Sequence, residues 1–245
     1  MKMFQNVGVV IYNIFKSFVN FPVYTFKLPK IKKPKKVTHS EWSQYLSKEF
    51  NHPGNRILEI GSRNVTGANL RHLFSDAEYI GFDFLDGENV DIVGDVHKLQ
   101  SYFEDGEKFD LIFCSAVFEH LYAPWIAAQN MTNLLKVEGH IFVETHFSYV
   151  SHERPWNFFQ FSDMGLRVLF NDGLGLEVID CGMSNPIIGI FNSYSVPYLR
   201  FRPVKELYCH SSILVKKYKH VEDFKWGDVD PEQLVGKTSY PAPKV

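Results

Sequence analysis

From about Asn55 to His220 the chain alternates short apolar runs with longer amphipathic stretches. The apolar runs, rich in Val, Ile, Leu and Phe and bounded by Gly, Asp and Asn, predict strands near 56–60, 78–82, 90–93, 109–114, 140–145, 176–181 and 212–217. Between them the helical period predicts helices near 66–74, 97–102, 124–135 and 162–171. A further helix is predicted over 42–50, with Ser40 as its N-cap and His52-Pro53-Gly54 ending it. Strands alternating with helices are the pattern of βαβ units, so the expected fold is α/β with a mainly parallel sheet.

The first 40 residues break this pattern. Met3 to Phe26 is rich in Val, Ile, Phe and Tyr but is interrupted by Lys16, Asn20 and Pro22, and a run of lysines and prolines follows up to Lys36. A membrane span needs about 20 mostly apolar residues in succession, and the uninterrupted stretch falls short of that. No small-residue cleavage site follows that would mark a secretory signal. Two readings stay open: an arm or helix docked on the domain, or peripheral membrane contact through residues 1–36, with the lysines meeting anionic lipid. The last stretch, 221–245, is polar and weakly periodic, and reads as a surface tail. The expected organisation is an arm and linker over 1–39, one domain over 40–220 and a tail over 221–245.

Composition narrows the classes of function. A formal net charge of −2 gives no global basic field, so nucleic acid is not an expected partner. Cys114, Cys181 and Cys209 have no paired spacing, which argues against a disulfide framework or a zinc site and fits a cytoplasmic protein.

The candidate chemistry lies at the predicted strand ends. Arg56-Ile-Leu-Glu-Ile-Gly-Ser-Arg-Asn-Val-Thr-Gly67 is a buried strand running into a glycine turn, and Gly61 there allows a ligand to approach the backbone. Asp83 follows at the end of the second strand, where an acid accepts the ribose hydroxyls of an adenosine cofactor. The third strand ends in Gly94-Asp95, with Asp95 placed for the adenine amine and Val96 flanking the ring. The fourth leads through Ser115 to Glu119 and His120.

On these residues the segment from about 40 to 183 resembles the class I S-adenosylmethionine-dependent methyltransferases of the methyltransferase type 11 kind. Glu59 and Gly61 match the acid and first glycine of that signature, whereas Arg63 and Val65 stand at the next glycine positions. A bacterial subgroup reads Ile-Gly-Ser-x-x-Val-x-Gly at this place and is similar again at Tyr79-Ile-Gly-Phe-Asp, Val90-Asp-Ile-Val-Gly-Asp and Val117-Phe-Glu-His-Leu. The resemblance implies a Rossmann-like seven-stranded sheet with helices on both faces and an antiparallel last strand. It also implies Glu59 and Gly61 at the methionine end of the cofactor, Asp83 at the ribose, Asp95 and Val96 at the adenine and Ser115 near the sulfonium, with Ser62 and Phe84 as further cofactor-binding residues. A dehydrogenase shares the strand, glycine and acid logic, but the Gly-x-Gly-x-x-Gly fingerprint is absent. A catalytically silent scaffold of the same fold is the remaining alternative.

Methyl transfer to a hydroxyl needs a group to take its proton, and His120, His146 and His152 lie on or just after the fourth and fifth strands. They are the candidate bases, although His120 could instead orient the cofactor loop. Their spacing with Glu144 and Glu153 matches no recognised metal site, and no metal is expected. Trp156 and Phe159 are candidate rings for an acceptor wall, or else core anchors of the next helix. Arg200, in the long connection after residue 184, is a candidate partner for an acidic group on the acceptor. The expected acceptor is a sugar, glycolipid or other small molecule carrying a hydroxyl.

Overall fold

The computed structural model describes residues 2–26, 31–65, 67 and 69–238. Its centre is a seven-stranded sheet of β1 (Arg56–Ile60), β2 (Glu78–Asp83), β3 (Ile92–Val93), β4 (Phe109–Ser115), β5 (Leu135–His146), β6 (Leu176–Ile190) and β7 (Pro203–Lys217). The strand order is β3-β2-β1-β4-β5-β7-β6. β1 to β5 pair in parallel, while β7 lies antiparallel between β5 and β6. The carboxyl ends of β1 to β5 therefore share one edge of the sheet, where open α/β sheets bind ligands.

Both faces of the sheet are covered, as its nearly continuous apolar strands require. On one face α3 (Pro124–Leu134) and α4 (Asp163–Leu169) close a core with Leu58, Ile112, Phe118, Met131, Ile141 and Leu166. On the other, α2 (Trp42–Phe50) packs Trp42 and Leu46 against Ile57, Phe113, Phe142 and Leu214. The N-terminal arm is a helix, α1 (Lys2–Phe26), and a short helix α5 (Pro231–Val235) comes near the C-terminus. Among the described residues no helix is long and apolar enough to cross a membrane.

Several elements depart from the sequence pattern for local reasons. Of the helix predicted over 66–74 only a 3-10 turn at Arg71–Phe74 forms, and Thr66 and Ala68 lie outside the described residues. The Asn64 side chain accepts from the Gly67 N–H and the Asn69 side chain from Arg71, so side-chain turns compete with the helix here. The segment Val96–Tyr102 is likewise 3-10, with a kink at Lys98. Ser162 caps α4 by accepting from the Gly165 N–H, whereas the residue at the α2 cap is Glu41, not Ser40, and the first amides bond to the Thr38 carbonyl. The long connection after residue 184 is mostly strand: β6 and β7 run on as a hairpin, pairing from Ser184↔His210 to Ile190↔Pro203. In the stretch read as a tail, Phe224 and Trp226 pack against the core, and Trp226 Nε1 donates to Gln129 at 3.2 Å.

Candidate active site

The turn after β1 is shaped by close approach. Gly61 has φ +80°, and a Cβ there would stand 2.3 Å from the Val117 side chain, so only glycine fits. Its N–H donates to the Phe82 carbonyl at 2.8 Å, which ties the turn to the end of β2. Ser62 is buried, and its Oγ has no hydrogen-bond partner within the protein. Glu59 is buried one residue before the end of β1; burial pushes its carboxyl up to about 8, against the opposing pull of Asn89 and Arg71.

Asp83, the last residue of β2, accepts the Arg63 N–H at 3.2 Å and the Leu85 N–H at 2.9 Å, while the Arg63 Nε lies 3.5 Å from Oδ1. Phe84 beside it is exposed and tilts toward Trp156, with ring centroids 6.0 Å apart. Asp95 accepts the His97 N–H at 3.0 Å and faces the His97 Nδ1 at 2.6 Å. Burial works against its charge, but those two contacts outweigh it and hold its pKa below the usual carboxylate range. The Val96 side chain is buried in the core, so only its backbone is left to face an adenine ring. Ser115, ending β4, donates to Glu144 at 3.1 Å.

Beyond Ser115 the edge is lined by histidines. His146 ends β5, and its Nδ1 lies 2.6 Å from Oε1 of the fully buried Glu119. Thr145 Oγ1 donates to the other oxygen at 2.6 Å. Burial raises the Glu119 pKa, but the contacts with His146 and Thr145 prevail and the net shift is downward, toward the charged form. Tyr149 stacks on the His146 ring at 4.3 Å, and His152 meets it edge-on at 5.4 Å. His120 meets His152 at 4.9 Å, and its Nδ1 lies 2.6 Å from the Trp156 carbonyl.

The segment carrying Trp156 and Phe159 lies over this cluster. Phe158 and Phe159 donate their N–H groups to the Glu119 carbonyl, and Phe161 donates to that of His146. The rings of Trp156, Phe158 and Phe159 remain substantially exposed, while Phe161 alone packs on the core.

The structure thus gathers His120, His146, His152 and Phe159 at one end of the edge, while Trp156 reaches from that cluster to Phe84 among the residues expected to hold cofactor. Arg200 is not among them. It sits beyond the paired part of the hairpin, with Nε donating to the Ser195 carbonyl, and the β6–β7 ladder separates it from His210 by roughly 20 Å.

Two further histidines, which the sequence pattern does not single out, join the cluster. His210 on β7 lies opposite His146 in the β5–β7 register, with ring centroids 5.4 Å apart. His39, in the strap before α2, stacks on His210 at 4.0 Å and contacts Glu144 Oε1 at 3.1 Å; that hydrogen bond raises its pKa despite partial burial. Burial lowers the pKa of His210. Placing either residue from sequence needs the register of the inserted antiparallel strand, which periodicity does not supply.

Among the described residues the groups able to hold a metal are His39, Glu144 and His210; His146, Cys209 and His210; and Glu119, His146 and His152. His39 and His210 lie face to face at 17°, so their ring nitrogens run side by side instead of converging. A cavity of about 190 Å³ opens beside His39, lined by Thr38, Ser184, Asn185 and Tyr208. A larger hollow of about 420 Å³ lies by Leu176 and Tyr218, at the opposite edge of the sheet from the strand ends just described.

A family model described as a methyltransferase domain matches residues 35–173. A Bacillus halodurans protein assigned to the methyltransferases superposes with a TM-score of 0.53 at 12% identity, covering 72% of this chain and 99% of that one. The Burkholderia thailandensis 1,6-didemethyltoxoflavin-N1-methyltransferase, solved with 1,6-didemethyltoxoflavin and S-adenosylhomocysteine bound, superposes with a TM-score of 0.51 at 13% identity, covering 88% of this chain and 90% of that one. These likenesses concern the fold. No curated protein matches the chain in sequence.

The sheet with its inserted antiparallel strand, together with the family match, defines a class I S-adenosylmethionine-dependent methyltransferase. The chain belongs to the family of methyltransferase domains matched over residues 35–173. The residues fit the cofactor: a glycine whose Cβ would fill the turn, a buried serine hydroxyl without a partner, an acid ending the second strand and another two residues past the third.

Proposed function

We propose that the protein methylates a hydroxyl of a sugar, glycolipid or other small molecule. The observation that carries this reading is the buried Glu119 carboxylate held against the ring of His146 at the acceptor end of the edge. His146 Nδ1 faces Glu119 Oε1 at 2.6 Å, so in this reading Nε2 is the nitrogen that takes a proton, and the nearby carboxylate stabilises the imidazolium that results. S-adenosylmethionine supplies a methyl group bound to a sulfonium leaving group. As the O–CH3 bond forms and the C–S bond breaks, the hydroxyl proton passes to His146.

Glu59, Gly61 and Ser62 hold the methionine end in this reading, Asp83 and Phe84 the ribose, Asp95 and the Val96 backbone the adenine, and Ser115 borders the sulfonium. Trp156 and Phe159 supply flat apolar faces suited to a sugar or ring and exclude water from the reaction. His152 and His120, each within ring contact of the next, flank His146 and can polarise or orient the acceptor.

Calorimetric titration with S-adenosylmethionine and S-adenosylhomocysteine, with NAD as control and Asp83→Ala as variant, tests the cofactor part. Micromolar binding of both sulfur compounds, lost in the variant and absent for NAD, is the expected result. Silence from folded protein would move the reading to a scaffold of methyltransferase shape. A methyl-transfer screen over hydroxyl, amine and carbon acceptors then tests the acceptor part, and turnover confined to amines or carbon would overturn it.

A further inference from the structure

α1 is attached to the domain by its polar side. Asn13 donates to the carbonyls of Tyr198 and Arg200, and Ser17 Oγ donates to that of Phe201, so the helix rests on the tip of the β6–β7 hairpin. The residues turned inward are Val10, Asn13, Ser17 and Asn20, at the spacing of one helical face. The residues turned outward include Val7, Ile11, Ile14, Phe15, Phe18 and Val19, with Phe18 83% exposed. This is the reverse of a docked amphipathic helix, which buries its apolar stripe. From Val7 to Phe26 the exposed apolar side chains span about 28 Å of helix, which exceeds the scattered apolar exposure of an ordinary surface.

Charge selects what covers it. Residues 1–40 contain no Asp or Glu, and six lysines follow α1 at positions 27, 30, 32, 33, 35 and 36. The last of this run is pinned to the domain, because Asp180 accepts the backbone N–H groups of Lys35, Lys36 and Val37, while the side chains of Lys32, Lys33, Lys35 and Lys36 face solvent. A second copy seated on the stripe would bring two basic segments together. An anionic bilayer accepts both the apolar stripe and the lysines.

We infer that α1 lies in the surface of an anionic membrane, with the lysine run on the lipid headgroups. The hairpin that carries α1 rises roughly 20 Å from the same edge of the sheet as the histidine cluster, since β6 continues outward past Ser184. Exposed Tyr194, Val196 and Tyr198 at its tip add rings suited to the interface. The protein therefore sits with its acceptor edge toward the bilayer, where a lipid-carried acceptor reaches it. This last step rests on the function proposed above; membrane binding itself does not.

Flotation of the full-length protein with vesicles tests the inference. Protein should rise with phosphatidylcholine vesicles containing phosphatidylglycerol, much less with phosphatidylcholine alone, and less as salt is added. Replacing Phe15 and Phe18 together by Ser should abolish flotation, and replacing Lys30, Lys32 and Lys33 by Ser should weaken it on the order of 100-fold. Unchanged S-adenosylmethionine binding by both variants shows that they are folded, and loss of vesicle binding with cofactor binding intact separates this inference from the enzymatic one. Two results would overturn it: wild-type protein that stays with the lipid-free fraction on both vesicle types, or a lipid-free dimer in sedimentation equilibrium that the Phe15 and Phe18 substitutions dissociate.

Discussion

Glu119 and His146 are in contact at 2.6 Å although they come from different elements, the short turn after β4 and the last residue of β5. Their meeting follows from the parallel pairing of β4 with β5, which brings the two strand exits side by side. With His146 as the base, His146→Ala should lower kcat by about 10²- to 10⁴-fold while the cofactor Kd stays within about twofold. Glu119→Gln should lower kcat less, since the imidazole remains but loses its counter-ion. Steady-state kinetics paired with cofactor titration separates the effects, and an unchanged kcat for His146→Ala would remove the histidine from the chemistry.

Arg63 covers the Asp83 carboxylate from two sides, through its backbone N–H and its guanidinium. If the ribose hydroxyls are to bond Asp83, they compete with this partly exposed ion pair, whose strength is about 1 kcal/mol or less. Arg63→Gly should therefore tighten S-adenosylmethionine binding by up to about fivefold. Weaker binding in the variant would mean that the guanidinium itself holds the cofactor.

The sheet was legible in the sequence because its strands are buried on both faces and read as apolar runs such as Leu111 to Cys114 and Ile141 to Val143. The strand ends themselves were legible for the same reason, with Asp83 ending β2 and Asp95 two residues past β3. The hairpin beyond Ser184 was not, because its residues alternate exposed apolar, glycine and proline positions that resemble a loop. His39 and His210 stayed hidden with it: their partners are 105 residues away in one case and set by an antiparallel register in the other. The polar docking face of α1 was equally illegible, as nothing local says which side of a helix meets protein.

The strap that carries His39 depends on Asp180. Its Oδ2 accepts Lys35 and Lys36 N–H groups at 2.7 Å each and that of Val37 at 3.4 Å, in a buried position. Asp180→Ala leaves those amides without their acceptor and should destabilise the fold by about 1–3 kcal/mol. It should also free the strap, lowering activity through loss of the His39 contact with Glu144 while cofactor affinity is kept. Thermal unfolding and kinetics of the same variant check both halves, and an unaltered melting temperature would show that the strap is held by other contacts.

Glu59 links cofactor binding to pH. Burial raises its pKa from 4.5 to about 8 in the folded protein. Between those values the folded state keeps a proton that the unfolded chain has released, so this contribution to stability is complete below about pH 4.5 and is lost as pH rises through about 8. Glu59→Gln cannot lose that proton, and its melting temperature should fall less than that of the wild type between about pH 5 and 9. Seating the cationic methionine end of S-adenosylmethionine beside Glu59 should favour the carboxylate and expel the proton. Titration near neutral pH in buffers of different ionisation enthalpy should then show release of a fraction of a proton per site, absent in Glu59→Gln. Binding heats that are the same in every buffer would mean that Glu59 stays neutral in the complex and acts as a hydrogen-bond donor.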